Sequence, residues 1–556
     1  MSSHRPLPGV TFAVLFLVFF AVWFGALAPR HLAKTDEGRY AEIPREMVSS
    51  GDWITPRLDG LKYFEKPPLQ YWATALAFEV FGPGEWTTRL WTGLSGFLGV
   101  VFVAYTARRL YGGVVGLYAS AVLASAMLYF LMAHVATLDM GVTFFMTAGL
   151  CSTLLARQAE DGNVARGWMM LTWAFLALAV LSKGLEGIVL PGCVFVLYLV
   201  TTRDWALLKR VEPWRGGLLF LVISVPWFVW VSQRNPEFPH FFFIHEHFER
   251  FLTHEHHREG PIWYFIPILL VGFLPWTFVL PAALLNAWRE THLPSRGASG
   301  RFMPARLLLL WSGFIFVFFS LSGSKLPSYI LPIFPALAIL SGAYLAKAGA
   351  RAVVLIGFAC AVLGLALVGL GLEGPGWFVS VPPEGLADYS RFGYGLAIAG
   401  GIEFIGATAS LVLVHQSRMT PAVLAIAAAS FLAGCTGLLS YGALDRYASA
   451  YYVAQAIGEQ ADPTSHLYSV EMYDQTLPFY LGRPLTLVNQ RDELDFGLHE
   501  EPALGIATLA EFASRWRTDP SAIAVMPPTT FDKLLAMKIP MRVILKDGRF
   551  VVVSKP

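Results

Sequence analysis

The sequence predicts an α-helical polytopic membrane protein that ends in a small soluble α/β domain, and three observations carry that prediction. Hydrophobic residues make up 55% of the 556 residues and charged residues only 14%, against about 25% charged in a typical soluble domain. Long apolar runs recur throughout residues 1–444. From Asp445 onward the pattern changes to short β-rich runs alternating with helical stretches.

A membrane span needs about 20 mostly apolar residues. Apolar cores lie at 9–27, 90–107, 114–132, 140–156, 168–181, 188–200, 217–230, 262–287, 307–321, 329–346, 352–370, 394–414 and 421–439, which predicts about thirteen spans on the length criterion. The run at 9–27 follows a short basic start. Its length, and Pro29-Arg30 in place of a small-residue cleavage site, predict a retained first span. Arg108-Arg109, Arg157 with Arg166, Arg203 with Lys209, Arg210 and Arg215, 289–306, Lys347 with Arg351, and Arg418 fall in alternate loops. The positive-inside rule makes those loops cytoplasmic, with the N-terminus inside and the C-terminus outside. The opposite set of loops holds every dense cluster of acids and histidines.

Residues 445–556 read as a soluble domain of about a hundred residues. Its expected strands are 466–470, 485–488, 522–526, 541–545 and 550–553, with helices at 508–516 and 530–537 and a hairpin turn at Asp547-Gly548. The membrane domain, 1–444, carries two external loops of note, 30–89 and 232–261. A net charge of +2 gives no reason to expect nucleic acid as a partner. Cys151, Cys193, Cys360 and Cys435 all lie in apolar runs and read as small hydrophobes.

The first external loop is the densest polar segment between spans. It keeps Asp36, Glu37, Arg39, Glu42, Arg45, Glu46, Glu65 and Lys66 together, whereas ordinary connections are short. Asp139 opens the fourth span on the same face. Taken alone, it also reads as a helix-end acid favoured by the dipole. A carboxylate pair such as Asp36 and Asp139 beside cations suits proton transfer or the steering of a cationic group at a phosphate-bearing site. Lys183 and Lys325 are lone cations in short external loops, where lysine is disfavoured. Each reads either as a phosphate ligand or as a snorkelling side chain. Residues 240–257 hold six of the 13 histidines. Imidazoles are common zinc ligands and Glu65 could add a carboxylate, but the spacing matches no standard metal signature, so a solvated interfacial face is equally consistent. Interleaved phenylalanines there suggest a helix in the interface. Glu403 lies inside the twelfth apolar run with no evident partner, a functional hypothesis by default.

The segments DE-x-RYAEI-x-REM, SGDWI-x-P and YFEKPP-x-x-YW, followed by ATLDM at 136–140, LSKG at 181–184, EHFERF at 246–251 and SGSKLPSYILP at 322–332, carry a resemblance over essentially the whole chain. It resembles the bacterial 4-amino-4-deoxy-L-arabinose transferases that modify lipid A, polytopic glycosyltransferases of the GT-C fold. The resemblance implies an undecaprenyl phosphate-linked sugar as donor and a lipid A phosphate as acceptor. It further implies a monomer in the bacterial inner membrane with a periplasmic site, inversion at the anomeric carbon, and resistance to polymyxin and related cationic peptides. Asp36 matches the family's first-loop acid and Asp139 its second candidate acid. Lys66 matches a contact to the carrier phosphate, and Arg39, Lys183, Arg250, Lys325, Tyr40 and Tyr329 join it as expected substrate-binding residues. Glu65, His247 and His257 match an expected divalent-metal site, for which nitrogen and oxygen ligands favour zinc. The rivals are a protein O-mannosyltransferase-like enzyme and, from another class, a lipid or solute transporter. Transporters bind near the bilayer midplane, whereas the ionisable residues here crowd one face.

Overall fold

The computed structural model describes residues 9–205, 207–249, 260–292, 302–374, 385–490 and 492–556. The chain forms two compact units. One comprises Met1–Ala28, Leu90–Gln233 and Glu237–Tyr441, the other Pro29–Arg89, Arg234–Pro236 and Gly442–Pro556.

The first unit is helical. Among the described residues nine helices of the chain are long and apolar enough to cross a membrane, and up to eleven if two bent pairs each count as one span. That is fewer than the thirteen expected. The apolar helices Ala13–Gly25 and Glu186–Thr202 fall short in length. Two runs that read as continuous are broken. Gly113–Ser125 turns by 68° into Met127–Ala133, and Phe265–Gly272 turns by 108° into Trp276–Glu290. Pro275 sits at the second break, where a missing N–H and the ring's bulk interrupt the helical ladder. The two breaks bond to each other: Met127 N–H donates to the Leu274 carbonyl, and the side chain of Trp276 donates from Nε1 to Ser125 Oγ at 2.9 Å. Hydropathy sees apolar residues on both sides of each bend and so misses the bend.

Leu138–Gln158 is the most buried of the long helices and anchors the unit. Glu403, expected to lack a partner, has one: Ser430 Oγ donates to Glu403 Oε1 at 3.0 Å, joining Leu386–His415 to Met419–Ser440. In His240–Glu249, Phe242 is buried against Phe228 and Phe238. At this position the phenylalanine packs on protein, where a membrane-facing side chain was expected.

The second unit is built on a six-stranded sheet with strands β3 (His466–Val470), β4 (Thr486–Val488), β5 (Gly505–Ile506), β6 (Ala522–Met526), β7 (Arg542–Lys546) and β8 (Val551–Ser554), in the order β5-β4-β3-β6-β8-β7. The first four run parallel, and β8 and β7 are antiparallel at one edge. β6, AIAVM, is buried along its whole length, as a strand covered on both faces must be. Trp516, Phe512 and Leu534 fill one face, and Val453, Ile457 and Leu477 the other. The first-loop segment belongs to this unit. It supplies the helix Asp36–Ser50 and a hairpin of β1 (Arg57–Leu58) and β2 (Leu61–Lys62). The turn residues Asp59 and Gly60 both have positive φ, 56° and 79°, the geometry that selects Asp-Gly. Gly38 lies so close to the Gln475–Thr476 backbone that an added Cβ would meet it at 2.5 Å, which only glycine permits.

Candidate active site

Two constellations emerge, one in each unit. In the second unit the first turn of Asp36–Ser50 carries Asp36 and Glu37, acids that complement the positive end of the helix dipole. Their fates differ. Glu37 is buried and clamped by two guanidiniums: Arg30 Nη1 donates at 2.8 Å and Nη2 at 3.2 Å, Arg89 Nε at 2.7 Å and Arg89 Nη2 at 3.0 Å, with Ala33 N–H adding a fifth bond. Burial alone would raise its pKa, but Arg30 and Arg89 outweigh burial and hold the carboxyl well below the usual range. Glu37 is therefore structural. Asp36, with its side chain 52% exposed, accepts a 2.8 Å bond from Arg39 Nη1.

Arg39 is the hub. Its other fork arm pairs with Glu493, which also accepts from the Gln475 amide. Its guanidinium lies 5.6 Å from the Tyr40 ring centroid and 6.0 Å from that of Tyr63. Burial raises the phenols of Tyr40, Tyr63 and Tyr71 above their ordinary values, so all three are neutral donors. The hydroxyls of Tyr63 and Tyr71 are buried with no hydrogen-bond partner among the described residues, a costly state unless a bound molecule completes them. Lys66 is half-buried and donates 2.9 Å to the Glu65 carbonyl, just before Pro67-Pro68 and the helix Leu69–Phe81. Glu65 acts electrostatically on Arg39 alongside Glu493. Asp36 and Glu493 thus both pair with the Arg39 guanidinium, and Glu65 acts on it through space. Among the described residues no three His, Cys, Asp or Glu side chains converge on a metal position. The expected ligands His247 and His257, and the expected phosphate ligand Arg250, lie outside the residues whose side chains are described.

In the first unit Asp139 sits in the first turn of Leu138–Gln158, and Lys183 is the last residue of Gly162–Lys183. Acid at a helix start and cation at a helix end each match the dipole. Lys183 Nζ lies 2.6 Å from Asp139 Oδ1 and 3.1 Å from Glu186 Oε1, with the Tyr329 ring centroid 4.9 Å away. These groups and Ser328 line a small recess. Of the expected site residues, the structure thus joins Asp139, Lys183 and Tyr329 here, and Asp36, Arg39 and Tyr40 in the other unit. Lys325 is 6% exposed and donates to the Ser322 carbonyl. Among the described residues no carboxylate neutralises it, an unfavourable state for a buried cation unless an anion arrives.

Glu186, Glu493 and Tyr63 were not singled out from the sequence. Glu186 had a local signal, its spacing three residues after Lys183 across a helix break, and Tyr63 opens the YFEKPP segment; Glu493 had none.

Residues 453–555 match the aminoarabinose transferase C-terminal domain, and residues 65–230 match dolichyl-phosphate-mannose-protein mannosyltransferase. The undecaprenyl phosphate-alpha-4-amino-4-deoxy-L-arabinose arabinosyl transferase of Edwardsiella ictaluri is 35% identical over 71% of this chain and 69% of its own. That of Yersinia enterocolitica is 34% identical over 66% and 67%. The crystal structure of ArnT from Cupriavidus metallidurans bound to undecaprenyl phosphate superposes with a TM-score of 0.91 at 38% identity, covering 98% of both chains. An Archaeoglobus fulgidus oligosaccharyltransferase shares the fold at 12% identity, with a TM-score of 0.52 over 92% of this chain and 69% of its own. This chain belongs to the undecaprenyl phosphate-aminoarabinose arabinosyl transferase family. It is a multi-pass membrane enzyme that uses an undecaprenyl phosphate sugar donor.

Proposed function

We propose that this enzyme moves 4-amino-4-deoxy-L-arabinose from undecaprenyl phosphate to a phosphate of lipid A, at the periplasmic face of the bacterial inner membrane. The observation that carries the reading is the match along 98% of both chains to a relative holding undecaprenyl phosphate. The bond between the anomeric carbon and the carrier phosphate breaks, and a lipid A phosphate oxygen bonds the same carbon from the opposite side. A phosphate monoester is already anionic at neutral pH, so the acceptor needs no strong base. The barrier lies in charge: leaving and attacking groups are both anions, and cations must offset them. Lys66 is suited to the carrier phosphate, and the resemblance adds Lys325 and Arg250 as further phosphate ligands. Asp36, exposed and bonded to Arg39, would stabilise the positive charge that develops on the sugar ring. Tyr40 and Tyr329 would shape the sugar's surroundings.

On the resemblance, Glu65 would hold a divalent ion with His247 and His257. That ion would supply further positive charge near the phosphates. Elemental analysis of purified protein should find one zinc per chain, lost in Glu65→Ala; metal-free wild type would remove this part. The main test is proteoliposomes supplied with the aminoarabinose donor and lipid A, read by mass spectrometry. A mass shift of lipid A supports the assignment, and modification of polypeptide hydroxyls with lipid A untouched would replace it with the mannosyltransferase-like reading.

A further inference from the structure

The recess around Lys183 is unbalanced in charge. Asp139 and Glu186 approach the same ammonium, at 2.6 and 3.1 Å. Two carboxylates against one cation leave one negative charge. Among the described residues no other lysine or arginine is ion-paired with either acid. Asp139 is mostly enclosed, while the Glu186 side chain keeps 27% of its surface open. The free space is about that of one water molecule, which is also the size of an ammonium group.

We infer that Glu186 is a specificity-determining residue that receives the 4-ammonium of the donor sugar, with Asp139 kept in place by Lys183. The inference rests on the proposed function, because it takes the sugar to be an amino sugar. A protonated amine brought to Glu186 neutralises the surplus charge of the recess. A hydroxyl or an N-acetyl group at the same carbon brings no charge and leaves Glu186 uncompensated, and sites built around a buried polar partner reject analogues that lack it.

The test compares binding of two synthetic donors, undecaprenyl phosphate-4-amino-4-deoxy-arabinose and its N-acetyl analogue, to wild type, Glu186→Gln and Glu186→Asp. Binding of undecaprenyl phosphate alone reports on folding. Wild type should prefer the amino donor by about 10-fold or more, the scale of one charge-assisted hydrogen bond. Glu186→Gln should lose that preference, Glu186→Asp should keep part of it, and all three should bind the bare carrier alike. An unchanged preference in Glu186→Gln, or equal weakening of both donors, overturns the inference. Transfer to lipid A is measured separately. If wild type binds with the expected preference yet transfers nothing to lipid A, the proposed acceptor fails while Glu186 keeps its role.

Discussion

Asp36 and Lys66 lie in the same unit but call for different readouts. Lys66→Ala removes the cation proposed for the carrier phosphate and should weaken undecaprenyl phosphate binding by roughly 10- to 100-fold, one charge-assisted contact. Asp36→Asn should lower turnover while donor affinity holds, the signature of an interaction made chiefly in the transition state. Wild-type transfer by Asp36→Asn would pass the leading role to Asp139. Glu37 is different in kind. Glu37→Gln leaves two buried guanidiniums short of their anion and should cost about 3–5 kcal/mol, read by thermal unfolding in detergent. Its pH signature follows from the lowered carboxyl pKa in the fold. The stabilisation is complete above about pH 4.3, the ordinary glutamate value, and is lost as pH falls through the lower folded value. Acid unfolding of wild type should steepen below that point, and Glu37→Gln should lack the component. Asp59 and Glu46 have the opposite sign, because burial raises both. Their contribution fades as pH rises above the ordinary carboxylate range.

At the scale of elements, two helices show how small residues replace hydrophobic driving force between spans. Ala350–Glu373 and Leu386–His415 approach through glycines: a Cβ on Gly364 would sit 2.7 Å from the Gly400 carbonyl oxygen, and one on Gly400 2.5 Å from that of Gly364. In lipid, association depends on such close packing. Gly400→Val should push the pair apart and cost about 1–3 kcal/mol, as overpacking does. Gly401→Val is the control, since a Cβ there meets nothing within 4 Å. Equal melting temperatures for the two variants would show that the glycine contact is dispensable. The Glu403–Ser430 bond ties Leu386–His415 to its other neighbour, so an acid that looked isolated joins two helices.

At the scale of the molecule, the first-loop segment and the C-terminal domain form one unit. Asp59 Oδ1 accepts the Leu485 N–H at 2.8 Å, Arg57 pairs with Glu501 at 3.0 Å, and Arg39 with Glu493. A chain ending at Tyr441 should therefore still insert in the membrane but lose transfer, with residues 30–89 turning protease-sensitive. A protected loop with transfer retained would count against the shared unit. Reporter fusions after Lys66 and after Pro556 should both read as periplasmic, as the alternation of basic loops expects.

Runs of apolar residues and local turn chemistry were enough to place most elements. The strands at 466–470 and 522–526 and the hairpin at Asp547-Gly548 stand where expected, because each is encoded by its own side chains. The two-residue β5 and the short helices Thr476–Leu481 and Asp495–Glu500 are too brief to show a period. Asp36, Arg39 and Lys66 were legible as a site because they crowd one loop. By itself, then, the sequence determined a polytopic helical chain, its soluble domain and the segments that hold the chemistry, since hydropathy and turn preference are local properties. Only the tertiary structure decided that Glu37 is clamped while Asp36 is open, that Glu493 reaches Arg39 from 454 residues away, and that Glu186 and Asp139 share Lys183. Those facts depend on which distant groups burial forces together, and burial is a property of the assembled fold.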